Sequence, residues 1–332
     1  MIKFILAVSF SVLLGCKHSG DEGKKMYIGT DMVHCVGRHF VSIPTSLQPS
    51  SITTGIFKAA GATAQDPEID ILVQSGVTTK TKFDTAVQKR RSELSRSESK
   101  TVDVLKNDTV LPDGSTLFRV QEIDDAYFSE MYFLRGHAMV KLRLDSFDNS
   151  YLEAEEQLKK LLKSIVDLDV NATGRGFCLG PIVIHSDLSQ ESGKFTYSDN
   201  SGLVLEIGID TFSHDDPMTL SDRMKRDSSA LQKLKVRTEV LRTQQRTTAG
   251  MLTDEWLGIG HIDGAAEHVL KFMLETRRNN SGKTTPSISL SLDSGQPLSD
   301  GTRTTTKIGN EQAIVLWDHI ADSIKLAGEE KH

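Results

Sequence analysis

The densest run of reactive side chains in the sequence is Ser-His-Asp-Asp at residues 213–216. Imidazole and carboxylate groups bind metal ions and transfer protons, so His214 and Asp215 could form a metal site or a catalytic pair. In a second interpretation, Asp216 caps a helix that begins at Pro217. The second interpretation is favoured because no further ligand stands at a useful spacing.

Common catalytic and cofactor motifs are missing from the sequence. It contains no Gly-x-Ser-x-Gly and no His-Glu-x-x-His, the signatures of α/β-hydrolases and of many zinc hydrolases. The run at residues 282–284 resembles the end of a phosphate loop, but Arg277 replaces its first glycine. Gly258, Gly260 and Gly264 miss the dinucleotide spacing by one residue. Both glycine stretches are predicted to be turns, and the chain is predicted to have no catalytic residues, metal or cofactor.

The apolar run over residues 4–14 ends at Leu-Leu-Gly-Cys, residues 13–16. It is too short to span a membrane, which takes about 20 apolar residues, and has the length of a secretory signal core. Its end resembles the lipobox of bacterial lipoproteins. An ordinary signal peptide and a buried strand are the alternative interpretations of this run. The sequence therefore predicts a signal peptide over residues 1–16 ending at a lipidated Cys16, and a tether over residues 17–25. The residue after Cys16 is Lys17 and not Asp. By resemblance to sorted lipoproteins, this favours anchoring at the outer membrane, on its periplasmic side.

Net charge and cysteine content limit the possible partners and the possible states of the cysteines. The formal net charge of −6 argues against a nucleic-acid partner, which requires a basic surface. The membrane is expected to be contacted only through the N-terminal lipid anchor. With Cys16 lipidated, Cys35 and Cys178 remain. They either form a disulfide, as an oxidising compartment permits, or are two separate small buried side chains.

The surroundings of these two cysteines are similar. Each stands in a Cys-apolar-Gly motif followed by a short β-branched run that predicts a strand. After each motif the patterns predict a strand, a helix, several antiparallel strands and a final helix. The predicted fold class is α+β, with two similar domains, each an antiparallel sheet packed with about two helices, that arose by internal duplication. The predicted boundaries are residues 26–172 and 173–332.

Local patterns support this organisation. Phe83, Val87 and Leu94 lie on one stripe of a predicted helix, and Asp-Gly at residues 113–114 and Arg-Gly at residues 135–136 predict hairpins. Ser150 and Glu153 predict a capping box for the next helix. The inward stripe of the last helix is predicted to be Ala313, Leu316, Trp317, Ile320 and Ile324.

The stretches CVGRHFVSIP at residues 35–44 and GFCLGPIVI at residues 176–184 resemble the two-domain immunity lipoproteins of type VI secretion systems, the lipase-immunity (Tli) family. The resemblance implies a periplasmic protein that binds a cognate lipase or phospholipase effector. It does not indicate which side chains contact the effector.

The first functional hypothesis is therefore an inhibitor that clamps the effector between two domains and blocks its active site or its lid. The acidic balance suggests a partner surface rich in Lys or Arg, and Trp256 is either an interface anchor or a core residue. Alternatives are an envelope lipoprotein with a ligand-binding or hydrolytic site, and a structural lipoprotein. Local charge density suggests the following acidic contacts: Asp124, Asp125, Asp215, Asp216, Asp254 and Glu255.

Overall fold

The computed structural model describes residues 30–59, 61–63, 65–96, 103–168, 176–212, 218–233, 236–262, 268–276, 282–294 and 308–327. Cys16, the tether, and the 213–216 cluster with Asp215 and Asp216 lie outside the described residues. Below, the first half means the described residues up to 168, and the second half means those from 176 onward.

The first half contains ten strands and two helices among its described residues. The strands are β1 (Asp31–Val36), β2 (His39–Pro44), β3 (Gln48–Pro49), β4 (Ile52–Lys58), β5 (Ile69–Ser75), β6 (Val104–Val110), β7 (Thr116–Ile123), β8 (Ala126–Arg135), β9 (Ala138–Phe147) and β10 (Ile165–Asp167). The helices are α1 (Lys80–Ser95) and α2 (Tyr151–Leu162).

The second half has nine strands and two helices in the part that the structure describes. The strands are β11 (Phe177–Leu179), β12 (Ile182–Ile184), β13 (Gln190–Ser198), β14 (Val204–Asp210), β15 (Val236–Thr248), β16 (Met251–Ile262), β17 (His268–Thr276), β18 (Ser287–Asp293) and β19 (Lys325–Leu326). The helices are α3 (Leu220–Lys233) and α4 (Asn310–Ser323).

One antiparallel sheet runs through both halves. Its strand order is β15-β16-β17-β18-β14-β13-β4-β5-β9-β8-β7-β6, and β3 pairs with β13 as its thirteenth strand. At the centre β13 pairs with β4, from Gln190 opposite Lys58 to Lys194 opposite Thr54. The predicted α+β class is therefore found, but the predicted separate sheets are joined into one.

Strand order is the same on both sides of the central pair. Read outward from the centre, the first half runs β4-β5-β9-β8-β7-β6 and the second runs β13-β14-β18-β17-β16-β15. Along the chain, α1 follows β5 and α2 follows β9 in the first half. In the second half, α3 follows β14 and α4 follows β18. The order of elements predicted from the sequence is thus present in both halves.

The large sheet has one covered face. Helices α2 and α4 pack on it, and so do two small sheets, β1-β2-β19 and β10-β12-β11. Phe177 of β11 meets Phe57 of β4 edge to face at 5.1 Å, and Gly37 lies against Ile209 of β14. The main hydrophobic core lies between these layers and is continuous across both halves.

A second, smaller core lies on the other face, under α1. Phe83, Val87 and Leu94 are buried there against Phe118 and Phe128 of the sheet. This confirms the helical stripe read from the sequence. Thr79 caps α1, because its hydroxyl accepts a hydrogen bond of 3.3 Å from the backbone N–H of Lys82.

Both predicted hairpins in the first half are confirmed. Gly114 and Gly136 have φ of 82° and 50°, the left-handed conformation that glycine adopts at little cost. The predicted turn at Gly282 is also confirmed, since its N–H bonds the carbonyl of Thr285 at 3.1 Å.

Three local predictions were wrong. Ser150 does not cap α2, because its hydroxyl bonds the backbone of Phe147 within a 3-10 turn before the helix. Gly258 lies inside β16 and not in a turn, because it pairs with Val240 of β15 and Lys271 of β17. The third helix begins at Leu220, where Thr219 accepts a hydrogen bond from the N–H of Asp222.

Candidate partner-binding face

The two cysteine-glycine motifs meet at the junction of the halves. Cys35 and Cys178 form a disulfide with 5.8 Å between their α-carbons. Beside it, Gly37 and Cys178 exchange two backbone hydrogen bonds of 3.1 and 2.7 Å. The sequence left open a disulfide or two separate buried cysteines, and the structure shows the disulfide. The motifs hold β1 against β11.

An ion pair reinforces this junction. The guanidinium of Arg38 donates hydrogen bonds of 2.7 and 2.5 Å to the carboxylate of Glu191, which is buried. The hydrogen bond to Glu191 raises the pKa of Arg38. A buried carboxylate needs such a partner, because an unpaired charge in the interior is strongly destabilising. These residues have a structural role.

The opposite face of the sheet is open in its middle. Side chains of neighbouring strands that stand opposite each other share a face, and Ser192, Ile56, Asp70 and Arg143 are successive cross-strand partners there. In the described part of the chain no helix packs on β4, β5, β13 or β14 from this side. Ile52 and Ile56 keep 48% and 38% exposure.

Two helices border this open area. On the first-half side α1 packs against β6 and β8, where Arg90 donates to Glu130 at 2.8 and 3.1 Å. On the second-half side α3 packs against β15 and β16, where Arg223 pairs with Glu275 of β17. We call the area between the two helices the trough. Its floor is formed by β9, β5, β4, β13, β14, β18 and β17.

The chemistry of the floor changes along its length. In the centre it is aliphatic, with Ile52 and Ile56. In the second half a depression of about 430 Å³ is lined by Ser287, Ser289 and Ser291 of β18. The hydroxyl of Ser289 lies over Gly208, where a β-carbon would approach it to 2.4 Å. The floor can therefore accept apolar groups at its centre and polar groups beside it.

Ion pairs cross the floor of the trough. Lys194 pairs with Glu206 at 2.8 Å, and Lys271 pairs with Asp293 at 2.8 Å. The Lys194–Glu206 pair is exposed, and pairs of this kind contribute about 0–1 kcal/mol to stability, so a charged partner can replace it at small cost. Burial raises the pKa of Asp293 despite Lys271.

Asp70 has no direct cation contact within hydrogen-bond distance among the described residues. Its pKa is raised, first by burial and then by the nearby carboxylate of Asp145, against the effect of Arg143. A partner cation placed here would relieve that repulsion.

The predicted contact residues divide into three groups. Asp124 and Asp125 are exposed in the turn between β7 and β8, and Asp254 is half-buried on the trough side of β16. Asp215 and Asp216 are outside the described residues. Glu255 and Trp256 are buried, with 1% and 6% exposure, which removes them as candidate contacts.

Glu255 and Trp256 are buried for different physical reasons. Glu255 points to the covered face and accepts hydrogen bonds from Arg242, Arg246 and Trp317. Trp256 points to the other face, where α3 packs against its strand, so the core interpretation is the correct one.

The trough itself was missed by the sequence reasoning. In β4 the exposed Ile52, Thr54 and Ile56 alternate with the buried Thr53 and Phe57. The sequence carries no local signal of this exposure, because a period-2 pattern would place the apolar Ile52 and Ile56 inside.

Metal and membrane features are limited in the described residues. No cluster of three or more His, Cys, Asp or Glu side chains that could hold a metal ion occurs among them. None of the described helices combines the length and apolar character needed to cross a bilayer.

Three solved structures resemble this chain, and each comparison covers 90% of it and 98% of the other chain. The apo immunity protein TplEi of the type VI secretion system of Pseudomonas aeruginosa aligns with a TM-score of 0.66 and 17% identity. The Tle4–Tli4 complex aligns with a TM-score of 0.67 and 16% identity. TplEi complexed with the "L" peptide gives 0.62 and 18%. At these identities the likeness shows the shared fold.

None of the curated proteins compared with the chain matches it. A family model does match, namely the C-terminal domain of Tle cognate immunity protein 4, over residues 172–327. Residues 172–327 therefore belong to this immunity-protein family, which confirms the resemblance to the Tli family that the cysteine-glycine motifs indicated.

Proposed function

We propose that this chain is an immunity protein that binds and inhibits a phospholipase effector of a type VI secretion system. The observation that carries the proposal is the family match over residues 172–327. The shared fold with TplEi and with a chain of the Tle4–Tli4 complex supports it over nearly the whole chain. Neutralising an effector by binding requires a complementary surface and no reaction of the inhibitor's own.

The trough is the surface on which we place the effector. It crosses the β4–β13 pair, so a bound partner contacts both halves, as the clamp hypothesis requires. A stable protein–protein interface buries about 1,600 Å² in total, and a floor seven strands wide offers an area of this order. Inhibition then follows if the clamped segment is the effector's active-site entrance or the lid that must open over it.

The location belongs to the same proposal. A lipid anchor on Cys16 would hold the inhibitor at the outer membrane in the periplasm, where a phospholipase attacks. The Cys35–Cys178 bridge supports an oxidising compartment, because disulfides are rare in the reducing cytosol. Palmitate labelling of the wild-type chain and of a Cys16→Ser variant tests the anchor.

We also infer that the halves arose by duplication, with domain limits at residues 26–172 and 173–332. The identical strand order on the two sides of β4–β13 supports this. Because one sheet and one core cross that boundary, the clamp is best tested in the full chain and not with isolated halves.

The test uses the purified cognate lipase, which is to be sought as a Gly-x-Ser-x-Gly reading frame beside this chain's gene. Its affinity for the immunity protein is measured by calorimetry and its activity by fatty-acid release from vesicles. The first-half variant is Ile52→Lys with Ile56→Lys, and the second-half variant is Ser289→Arg. Val166→Lys is the control, because Val166 is a strand residue with 40% exposure on β10, which packs on the covered side.

Each trough variant should weaken binding at least about tenfold and restore lipase activity, since a charge now meets the partner's apolar or polar surface. The control should bind and inhibit like the wild type. If only one half matters, the clamp is wrong although the immunity function stands. If the wild-type chain neither binds nor inhibits the lipase, the function is wrong.

One observation favours the alternative of a ligand-binding lipoprotein. A groove of about 520 Å³ beside Cys35 is lined largely by apolar groups, among them Pro49, Pro181, Phe195 and Tyr197. A fluorescent fatty acid that binds the wild type, but not a Ser51→Trp variant with the groove filled, would support this alternative. Absence of such binding would favour the immunity role.

A further inference from the structure

A second surface lies at one end of the sheet, beside the trough floor. Ile123 and Phe147 are exposed by 67% and 68%. Ile123 stands opposite Ala126, and Ala126 stands opposite Phe147, so the two exposed side chains lie in one row across β7, β8 and β9. Adjacent exposed apolar groups of this size mark interaction sites. We call Ile123, Phe147 and the neighbouring Asp124, Asp125 and Asp148 the apolar tip.

The backbone of the apolar tip is held in a defined shape. Asp125 and Asp148 have φ of 64° and 51°, a left-handed conformation that is uncommon for residues other than glycine. The N–H of Asp148 donates a hydrogen bond of 2.8 Å to the carbonyl of Asp125. A surface that is ordered before binding loses less conformational entropy when it docks.

Aromatic side chains of β8 and α2 pack next to this backbone. The rings of Tyr127 and Tyr151 lie 5.2 Å apart, and the guanidinium of Arg119 lies 3.9 Å from the centre of the Tyr151 ring. Arg119 also pairs with Glu155 of α2 at 2.7 Å. The start of α2, which follows Phe147 and Asp148 in the chain, is thereby fixed against β7 and β8.

The charge of the apolar tip selects among partners. Asp124, Asp125 and Asp148 are all exposed, and no ion pair to any of them is formed within the described residues. Three carboxylates around an apolar row repel an anionic lipid surface and attract Lys and Arg side chains. They favour a protein partner that offers an apolar pocket with a basic rim.

The position of Phe147 connects the apolar tip to the trough. Phe147 lies on the same strand and the same face as Arg143, whose cross-strand partner Asp70 lies in the trough floor. Four residues of a strand span about 13 Å, so a partner seated in the trough reaches Phe147 along β9.

We propose that the apolar tip is a second docking point for the same effector, which it binds through an apolar pocket rimmed by Lys or Arg. This inference rests on the proposed immunity function. The trough supplies a broad contact across both halves, whereas the apolar tip supplies a small contact made by preformed aromatic and aliphatic anchors. Such anchors carry much of the affinity at interfaces.

The experiment measures affinity for the same cognate lipase with full-length variants. Ile123→Ser with Phe147→Ser removes the apolar row. Asp124→Asn, Asp125→Asn and Asp148→Asn together remove the charge, and asparagine tolerates the left-handed conformation. Val110→Ser is the control, because Val110 is 64% exposed at the end of β6 and not part of the apolar tip. Chemical unfolding checks that every variant is as stable as the wild type.

The serine variant should raise Kd by about tenfold or more, and the asparagine variant should slow association and reduce its dependence on salt. The control should leave both unchanged. Wild-type affinity in the serine variant overturns the proposal, while the trough variants still report on the immunity function. Binding of the wild type to phosphatidylethanolamine–phosphatidylglycerol vesicles that is lost with Phe147→Ser would assign the apolar tip to a membrane and also overturn it.

Discussion

The indole Nε1 of Trp317 donates a hydrogen bond of 2.7 Å to Oε2 of Glu255, and neither side chain is exposed to solvent beyond 1%. Glu255 lies on β16 and Trp317 on α4, so this bond fixes the last helix on the covered face. Arg242, Arg246 and Gln244 also donate to the carboxylate, at 2.7, 2.9 and 3.0 Å. Both arginines also bond Asp318 of α4. The pKa of Arg242 is raised, chiefly by its hydrogen bond to Asp318.

Glu255→Gln should destabilise the fold strongly. The substitution keeps the size of the side chain but removes the charge of a buried carboxylate that accepts from the half-buried Arg242 and Arg246, and hydrogen bonds to charged groups contribute about 1.5–3 kcal/mol each. Urea unfolding followed by fluorescence measures the loss. Glu311→Gln on α4 is the control, because Glu311 is exposed and its replacement should change stability by less than about 0.5 kcal/mol. Equal stability of the two variants would contradict this account of the cluster.

The Cys35–Cys178 disulfide should stabilise the fold mainly by restricting the unfolded chain. The bridged residues are 143 positions apart, and closing a loop of this length contributes about 5 kcal/mol in the chain-entropy model. Adding a reductant should therefore lower the urea midpoint of the wild type. The double variant Cys35→Ala with Cys178→Ala should start from the lower midpoint and show no response to reductant. A reductant effect of the same size in that variant would exclude the bridge as its cause.

Local features of the fold could be predicted from the sequence because short-range physics determines them. The spacing of Phe83, Val87 and Leu94 defines one face of a helix wherever it packs. The glycines at 114 and 136 enter tight turns because few other residues adopt their backbone angles. The same holds for the inward stripe of the last helix, in which Trp317 is fully buried.

The long-range features could not be predicted in this way. Whether Lys194 faces Thr54 depends on the free edges of two distant strands, and neither edge has a local signature. Glu255 looks like a surface acid in the sequence, since its partners Arg242 and Trp317 stand 13 and 62 positions away in opposite directions. The trough follows from the β4–β13 pairing, because its floor exists only when the strands of the two halves are joined.

Gly258→Ala should disturb the packing under α3. A β-carbon at Gly258 would lie 2.2 Å from the ring of Trp256, so the indole must move and the helix above it must adjust. Overpacking of this kind costs about 1–3 kcal/mol. The loss is measured by urea unfolding, together with a change in the emission of Trp256. Gly282→Ala is the control, since the nearest atom to a β-carbon there is 3.5 Å away. An unchanged emission spectrum in Gly258→Ala would contradict the contact.

Acid should destabilise the protein through His39. This side chain is fully buried on β2, and neither ring nitrogen has a hydrogen-bond partner among the described residues. Burial lowers the pKa of His39 from 6.5 to about 4, so the unfolded chain binds a proton that the folded chain does not. The stabilisation is fully present above pH 6.5 and is lost as the pH falls toward 4, by about 3 kcal/mol in total. Unfolding free energies measured between pH 7 and 4 should fall more steeply for the wild type than for His39→Leu, which cannot titrate. Parallel pH profiles would show that other groups carry the acid sensitivity.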